Sequence, residues 1–107
     1  MRDYSNVKLT LTALTVAATM FASSASAFDP DDLQKLKDTA NCIGCDLKEA
    51  ILSSDNLNGA TLMNASLIGA SLMGAGLRDA NLDLAYMNGA ILCNTTMPDG
   101  SVIYSGC

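Results

Sequence analysis

The stretch that decides the fold lies at residues 60–84 and reads ATLMN-ASLIG-ASLMG-AGLRD-ANLDL. Each group of five begins with alanine and has leucine at its third position. Outward from this stretch, an apolar residue returns at every fifth position. The predicted repeat centres are Leu47, Leu52, Leu57, Leu62, Leu67, Leu72, Leu77, Leu82, Met87, Leu92, Met97 and Val102. A small residue stands two places before most centres, as at Ala50, Ala60, Ala65, Ala70, Ala75, Ala80, Ala85 and Ala90.

A period of five fits neither regular secondary structure. Five residues of α-helix rotate the chain by roughly 500°, so successive leucines would share no face. On a strand, an odd spacing would turn every second leucine outward. All centres share one axis if the chain makes a quarter turn per repeat, so that four repeats form one coil. The fifth positions fit this interpretation because they favour turns. They are Gly59, Asn64, Gly69, Gly74, Asp79, Gly89, Asn94 and Asp99.

The groups at 60–64, 65–69 and 80–84 resemble the A(N/D)LXX repeats of the pentapeptide-repeat family. The resemblance implies an all-β fold, a right-handed quadrilateral β-helix of about three coils over residues 45–104. Asp55 and Thr95 depart from the repeat at the small inward position, and Gly76 departs from it beside a centre.

Residues 1–27 are predicted to be a secretory signal peptide. Arg2 and Lys8 supply its basic end, residues 9–22 its apolar region, and Ala25-Ser26-Ala27 its small-residue cleavage pattern. The apolar region is shorter than the ~20 residues that span a membrane. We therefore expect cleavage before Phe28 and a periplasmic or secreted protein.

Residues 28–44 are predicted to hold a short capping helix and a C-x-x-C linker. Asp29 can cap a helix that has Pro30 in its first turn. Leu33 and Leu36 share one face, which we expect to cover the open end of the first coil. Residues 105–107 are predicted to be a C-terminal cysteine tail.

Residues 28–107 carry ten acidic and four basic side chains, a formal net charge of −6. Such a surface argues against nucleic acid and anionic lipid as partners. We expect no membrane association after the signal peptide is removed.

The four cysteines predict two disulfides, because an even number in a small exported chain is typical of disulfide bonding. Coils stacked ~4.8 Å apart would hold Cys45 and Cys93 roughly 10 Å apart, beyond the reach of a disulfide. The pairs Cys42–Cys45 and Cys93–Cys107 remain. The same separation argues against one metal site using all four cysteines, and we expect no metal and no cofactor.

Cys42-Ile43-Gly44-Cys45 also has the spacing of a thiol–disulfide exchange motif. The carboxylate of Asp46 would raise the pKa of a neighbouring thiol, which favours a structural bond. A periplasmic thiol-redox protein that uses Cys42 and Cys45 is the alternative function.

Asp55 is the one charged residue at an inward position, and no histidine, serine or second acid accompanies it as a catalytic group. We expect it to bond backbone N–H groups. The sequence therefore predicts no enzyme and no catalytic residue.

Ile51, Met73 and Ile91 fall on one outward face of the coil and are the candidate interaction face. The leading hypothesis is a small exported scaffold or interaction module whose partner is an unidentified protein or a second copy. The resemblance also raises a third hypothesis, the gyrase-interacting DNA mimicry of some relatives. Three coils would span only ~15 Å, which is short for that role.

Overall fold

The structure is a computed structural model that describes residues 27–107. The predicted signal peptide lies outside the described residues, apart from Ala27. The named elements are helix α1 (Pro30–Thr39) and the strands β1 (Leu92–Thr96) and β2 (Val102–Ser105). Within residues 27–107, no helix has the length and apolar character needed to cross a membrane.

Between α1 and β1, chain segments twenty residues apart lie side by side in parallel. The parallel bridges join Asn41 to Thr61, Asp46 to Ser66, Ile51 to Ser71, Asn56 to Gly76, Thr61 to Asn81, Ser66 to Tyr86, Ser71 to Ile91, and Gly76 to Thr96. Each twenty-residue segment, here called a coil, thus contains four bridging residues. This is the register that four repeats per coil require.

A turn follows each repeat centre from Leu47 to Met87. The N–H of Ala50 donates to the carbonyl of Leu47 at 3.1 Å, and the same bond recurs along the chain. In each of these turns, the third of the four residues alone has a positive φ, which is the geometry of a type II turn. Positive φ recurs at Gly44, Glu49, Ser54, Gly59, Asn64, Gly69, Gly74, Asp79, Leu84, Gly89 and Asn94. Asp99 also lies in a turn, which Gly100 N–H and the Met97 carbonyl close, but the positive φ there is at Gly100.

The core consists of the leucine column and the alanine column together. The buried apolar residues of the coils are Cys42, Cys45, Leu47, Ala50, Leu52, Leu57, Ala60, Leu62, Ala65, Leu67, Ala70, Leu72, Ala75, Leu77 and Ala80. The centres of the last coil are only half-buried, namely Leu82, Met87, Leu92 and Met97. Within residues 27–107, no further coil covers that end, so burial decreases along the stack.

Val102 was predicted to be a repeat centre, and this prediction is wrong. It is 45% exposed, because the chain reverses after Thr96 and β2 pairs with β1 in antiparallel. The turn is closed by hydrogen bonds from Gly100 N–H to the Met97 carbonyl and from Met97 N–H to the Ser101 carbonyl. The period of five continues in the sequence past the point where the coil ends.

Helix α1 lies against the first coil. Its N-cap is Asp29, whose carboxylate accepts from the Asp31 N–H at 2.9 Å. Leu36 is buried in the core, and Leu33 packs against it. The carboxylate of Asp32 accepts from the N–H of Asp46 at 2.8 Å. The helix is thus joined to the coil by both apolar and polar contacts.

Candidate functional site

The cysteines form two disulfides, Cys42–Cys45 and Cys93–Cys107. Their Cα–Cα distances are 5.3 and 4.9 Å. These are the pairs that the coil geometry predicts. No cysteine within residues 27–107 is free.

The Cys42–Cys45 bond lies inside the stack. Cys42 occupies a repeat centre, since its N–H donates to the Thr61 carbonyl at 2.8 Å as the later leucines do in their own coils. Cys45 occupies the small inward position. The two residues are 0% and 3% exposed, and the Cys42 sulfur lies 3.3 Å from the Asp32 carbonyl oxygen in α1. Thiol–disulfide exchange requires a thiolate to reach a sulfur, and here the coil and α1 enclose both sulfurs.

The predicted linker extended through residue 44, whereas the coil register already begins at Asn41. A sequence signal for this start exists at residues 40–44, which read ANCIG. Alanine is first and a turn glycine is last, as in later repeats. A cysteine at the centre, where leucine was expected, hid the repeat.

The Cys93–Cys107 bond lies at the surface. Cys93 is half-buried in β1 and Cys107 is exposed. The bond closes the segment that contains the β1–β2 pair. The structure therefore provides one enclosed and one accessible disulfide, and the accessible one is not the C-x-x-C pair.

The expectation for Asp55 was wrong. Its carboxylate does not bond backbone N–H groups but accepts from the Lys37 ammonium of α1 at 3.3 Å. Both side chains are partly exposed. The other departure, Thr95, is fully buried, and its hydroxyl donates to the Leu72 carbonyl at 2.6 Å. Both departures are therefore explained by structural contacts.

The candidate interaction face is partly brought together. Ile51 and Ile91 both bridge Ser71, so the three residues form one column across three coils. Ile51 is 69% exposed and Met73, two residues after Ser71, is 45% exposed. Ile91 is less exposed than Ile51 and is half-buried, because Gly106 lies beside it. The exposed part of the face thus centres on Ile51 and Met73.

Three other features of residues 27–107 bear on chemistry, namely possible metal ligands, a surface cavity and a perturbed carboxyl. No three His, Cys, Asp or Glu side chains there are grouped so as to hold a metal ion. A surface cavity of about 220 Å³ between α1 and the first coil is lined by Leu36, Lys37, Ala40, Asp55, Asn56 and Leu57. Its two charged residues are already paired with each other. The pKa of the Asp99 carboxyl is lowered because the Ser101 hydroxyl and N–H both donate to it.

Comparison with known proteins agrees with this repeat geometry. The family model described as "Pentapeptide repeats" matches eight copies over residues 40–79. Residues 40–79 therefore belong to the pentapeptide-repeat family, and the family implies a β-helix. The match begins at Ala40, one residue before the first bridge of the coil.

Among solved structures, the chain is similar to a pentapeptide repeat protein, Rfr23, from the cyanobacterium Cyanothece 51142. The sequences are 16% identical, and the similarity covers 56% of this chain and 92% of that one, with a TM-score of 0.26. No curated protein matches this sequence.

Proposed function

We propose that this chain is a small exported scaffold that binds a protein partner and has no catalytic activity of its own. The fold proposed for it is a right-handed quadrilateral β-helix of about three coils. In this proposal α1 covers the N-terminal end of the stack, where Leu36 is buried and Leu33 packs against the core.

The observation that carries the proposal is that the reactive side chains are engaged in structural contacts. The cysteines are in disulfides, Asp55 pairs with Lys37, and Thr95 bonds the backbone. The solvent-exposed surface of the coils consists of regular columns of side chains. A rigid surface of this kind suits recognition rather than chemistry.

Export is part of the proposal and rests on two features of the sequence and structure. Residues 1–27 have the pattern of a cleavable signal peptide, with Phe28 as the first residue of the mature chain. Disulfides form and persist in oxidising compartments, and both cysteine pairs are bonded here. Periplasmic and extracellular locations fit equally well.

The proposed contact face contains Ile51, Met73 and Ile91. Ile51 has a large aliphatic side chain that is 69% exposed at a bridge position. Exposure of this apolar surface to water is unfavourable. A protein surface would cover it, and the partner is either another protein or a second copy. The net charge of −6 on residues 28–107 favours neither nucleic acid nor an anionic membrane.

The thiol-redox alternative is weakened by the burial of Cys42 and Cys45, because exchange requires access to a sulfur. The gyrase-interacting alternative is weakened by export, which would separate the protein from DNA. No observation on the described residues favours either over the scaffold.

The experiment compares two variants of the mature chain. Ile51→Asp places a charge on the proposed face. Tyr86→Asp is its matched control, since Tyr86 is 58% exposed at the equivalent bridge position of another face. Asp46 already occupies that column, so aspartate is compatible with the bridge.

Self-association is measured first by sedimentation, and partners are then captured from the envelope fraction and purified. We expect wild type and Tyr86→Asp to bind the same purified partner, or themselves, with equal affinity. Ile51→Asp should bind about tenfold or more weakly, as expected for an apolar anchor. Equal binding by Ile51→Asp and wild type would overturn the assignment of this face, and measurable substrate turnover would overturn the non-catalytic role.

A further inference from the structure

Two Asn-Gly pairs occupy equivalent turns in different coils. Asn58-Gly59 forms the centre of the turn closed by Ala60 N–H and the Leu57 carbonyl, at 3.0 Å. Asn88-Gly89 forms the centre of the turn closed by Ala90 N–H and the Met87 carbonyl, also at 3.0 Å. The two glycines have φ values of 74° and 69°. The pairs thus share their local sequence and backbone.

An asparagine followed by glycine can modify itself. The glycine backbone nitrogen loses its proton and attacks the asparagine side-chain carbonyl carbon, which glycine permits because it has no Cβ in the way. The bond between this carbonyl carbon and the side-chain amide nitrogen breaks and ammonia leaves, so that a five-membered succinimide ring forms. Water then opens the ring to aspartate or isoaspartate. The step needs a free nitrogen nucleophile and a side chain that can rotate towards it.

In the first pair, both reacting groups are engaged. The Gly59 N–H donates to the Arg78 carbonyl at 2.8 Å. The Asn58 side-chain oxygen accepts from the Arg78 N–H at 3.0 Å. Attack would require both hydrogen bonds to break. The coil stacked above this turn therefore protects it.

The second pair lies in the last coil, and no further coil formed by residues 27–107 is stacked above it. Within residues 27–107, neither the Gly89 N–H nor the Asn88 side chain has a hydrogen-bond partner, and both residues are exposed. The one bond that holds this peptide runs from Gly69 N–H to the Asn88 carbonyl at 2.9 Å. That bond engages neither the nucleophile nor the side chain.

We propose that Asn88 is a site of spontaneous deamidation, and that Asn58 is protected from it by the coil stacked upon it. The product carries one additional negative charge beside Gly89. Where isoaspartate forms, the turn gains one backbone carbon and the Met87 repeat loses its register. The last coil therefore undergoes a slow deamidation that the inner coils resist.

The test follows the intact disulfide-bonded chain during prolonged incubation at mildly alkaline pH. Peptide mapping with mass spectrometry measures the acid form and the isoaspartate form at each site. We expect Asn88 to react about tenfold or more faster than Asn58 in the native protein, because two hydrogen bonds hold the Asn58-Gly59 pair and must break before it reacts. In denaturant, both sites should react at nearly equal rates, because each is followed by Gly-Ala.

This denatured sample is the control that separates structure from sequence. Equal rates at the two sites in the native protein would overturn the proposal, and so would a native Asn88 that does not react. A difference between the sites that persists in denaturant would also contradict it, since the cause would then lie in the local sequence.

Discussion

The ammonium of Lys37 in α1 lies 3.3 Å from the carboxylate of Asp55 in the first coil. Asp55 stands where most repeats have alanine, and its side chain points into the junction between helix and coil. Both groups are partly exposed, and ion pairs of this kind contribute ~0–1 kcal/mol. The apolar contact of Leu36 at the same junction is fully buried. Burial, rather than charge, is thus expected to hold the helix in place.

The first prediction compares these two contacts. Asp55→Ala restores the residue typical of the repeat and should change the free energy of unfolding by less than about 1 kcal/mol. Leu36→Ala should lower it by ~2–5 kcal/mol, because a buried side chain is removed. Urea unfolding measures both. A larger loss for Asp55→Ala than for Leu36→Ala would show that the ion pair dominates.

The second prediction concerns the position of a centre along the stack. Leu72 is fully buried, whereas Leu82 in the last coil is half-buried. We expect Leu72→Ala to cost ~2–5 kcal/mol and Leu82→Ala clearly less, since less apolar surface is buried there. The measurement is again equilibrium unfolding. Equal losses would mean that the last coil is covered in solution.

The third prediction uses the turn geometry. Leu84 has φ 60° and is 74% exposed, so its side chain adds backbone strain and little packing. Leu84→Gly should raise the free energy of unfolding by about 1 kcal/mol, because glycine adopts this conformation without penalty. Gly59→Ala should lower it by a similar amount, although nothing lies within 4 Å of the added Cβ. If both changes had the same sign, the turns would not be strained as described.

Much of the fold follows from the sequence because its constraints are local and periodic. A buried residue every fifth position, with a turn residue between, fixes the twenty-residue register that the bridges have. Contacts between elements do not follow in this way. The Lys37 partner of Asp55, the cover over Cys42 and the contact of Gly106 with Ile91 depend on where α1 and the C-terminal segment lie. No period in the sequence encodes those positions.

The candidate site was predictable to the same extent. Ile51 and Ile91 fall in one column because column membership depends only on the period. Ile91 is less exposed than Ile51 because the non-repeating C-terminal segment, at Gly106, lies beside Ile91. Val102 shows the opposite limit, since its spacing continues the repeat while the turn at Gly100 takes the chain out of the coil.

The fourth prediction concerns pH. The Ser101 hydroxyl and N–H donate to Asp99 and lower the pKa of its carboxyl below the ordinary value of 3.8. The ionised form is thus favoured in the folded chain, so this contribution to stability is present above the ordinary value. It is lost as the pH falls through the lowered pKa. Ser101→Ala should raise the pKa of Asp99 towards its ordinary value, and Ser101→Thr should keep it low.

A carboxyl-carbon NMR titration of Asp99 follows this directly. The alanine variant retains the backbone N–H bond, so a partial return is expected. An unchanged pKa in Ser101→Ala would show that the hydroxyl contributes nothing to the lowered value.

The account of a scaffold without thiol chemistry depends most directly on how the two disulfides differ. We expect removal of both Cys93 and Cys107 by serine substitution to lower the free energy of unfolding by ~3 kcal/mol, since their bond closes a loop of about 15 residues. The Cys42–Cys45 bond closes a much smaller loop, and its loss should matter less.

The decisive measurement is a titration of the native, disulfide-bonded protein with glutathione, read by peptide mapping under non-reducing conditions. The account predicts that Cys93–Cys107 opens first, because Cys107 is exposed, while Cys42–Cys45 stays closed until the chain unfolds. Rapid and reversible exchange at Cys42–Cys45 in the folded protein would contradict the account and support a redox function instead.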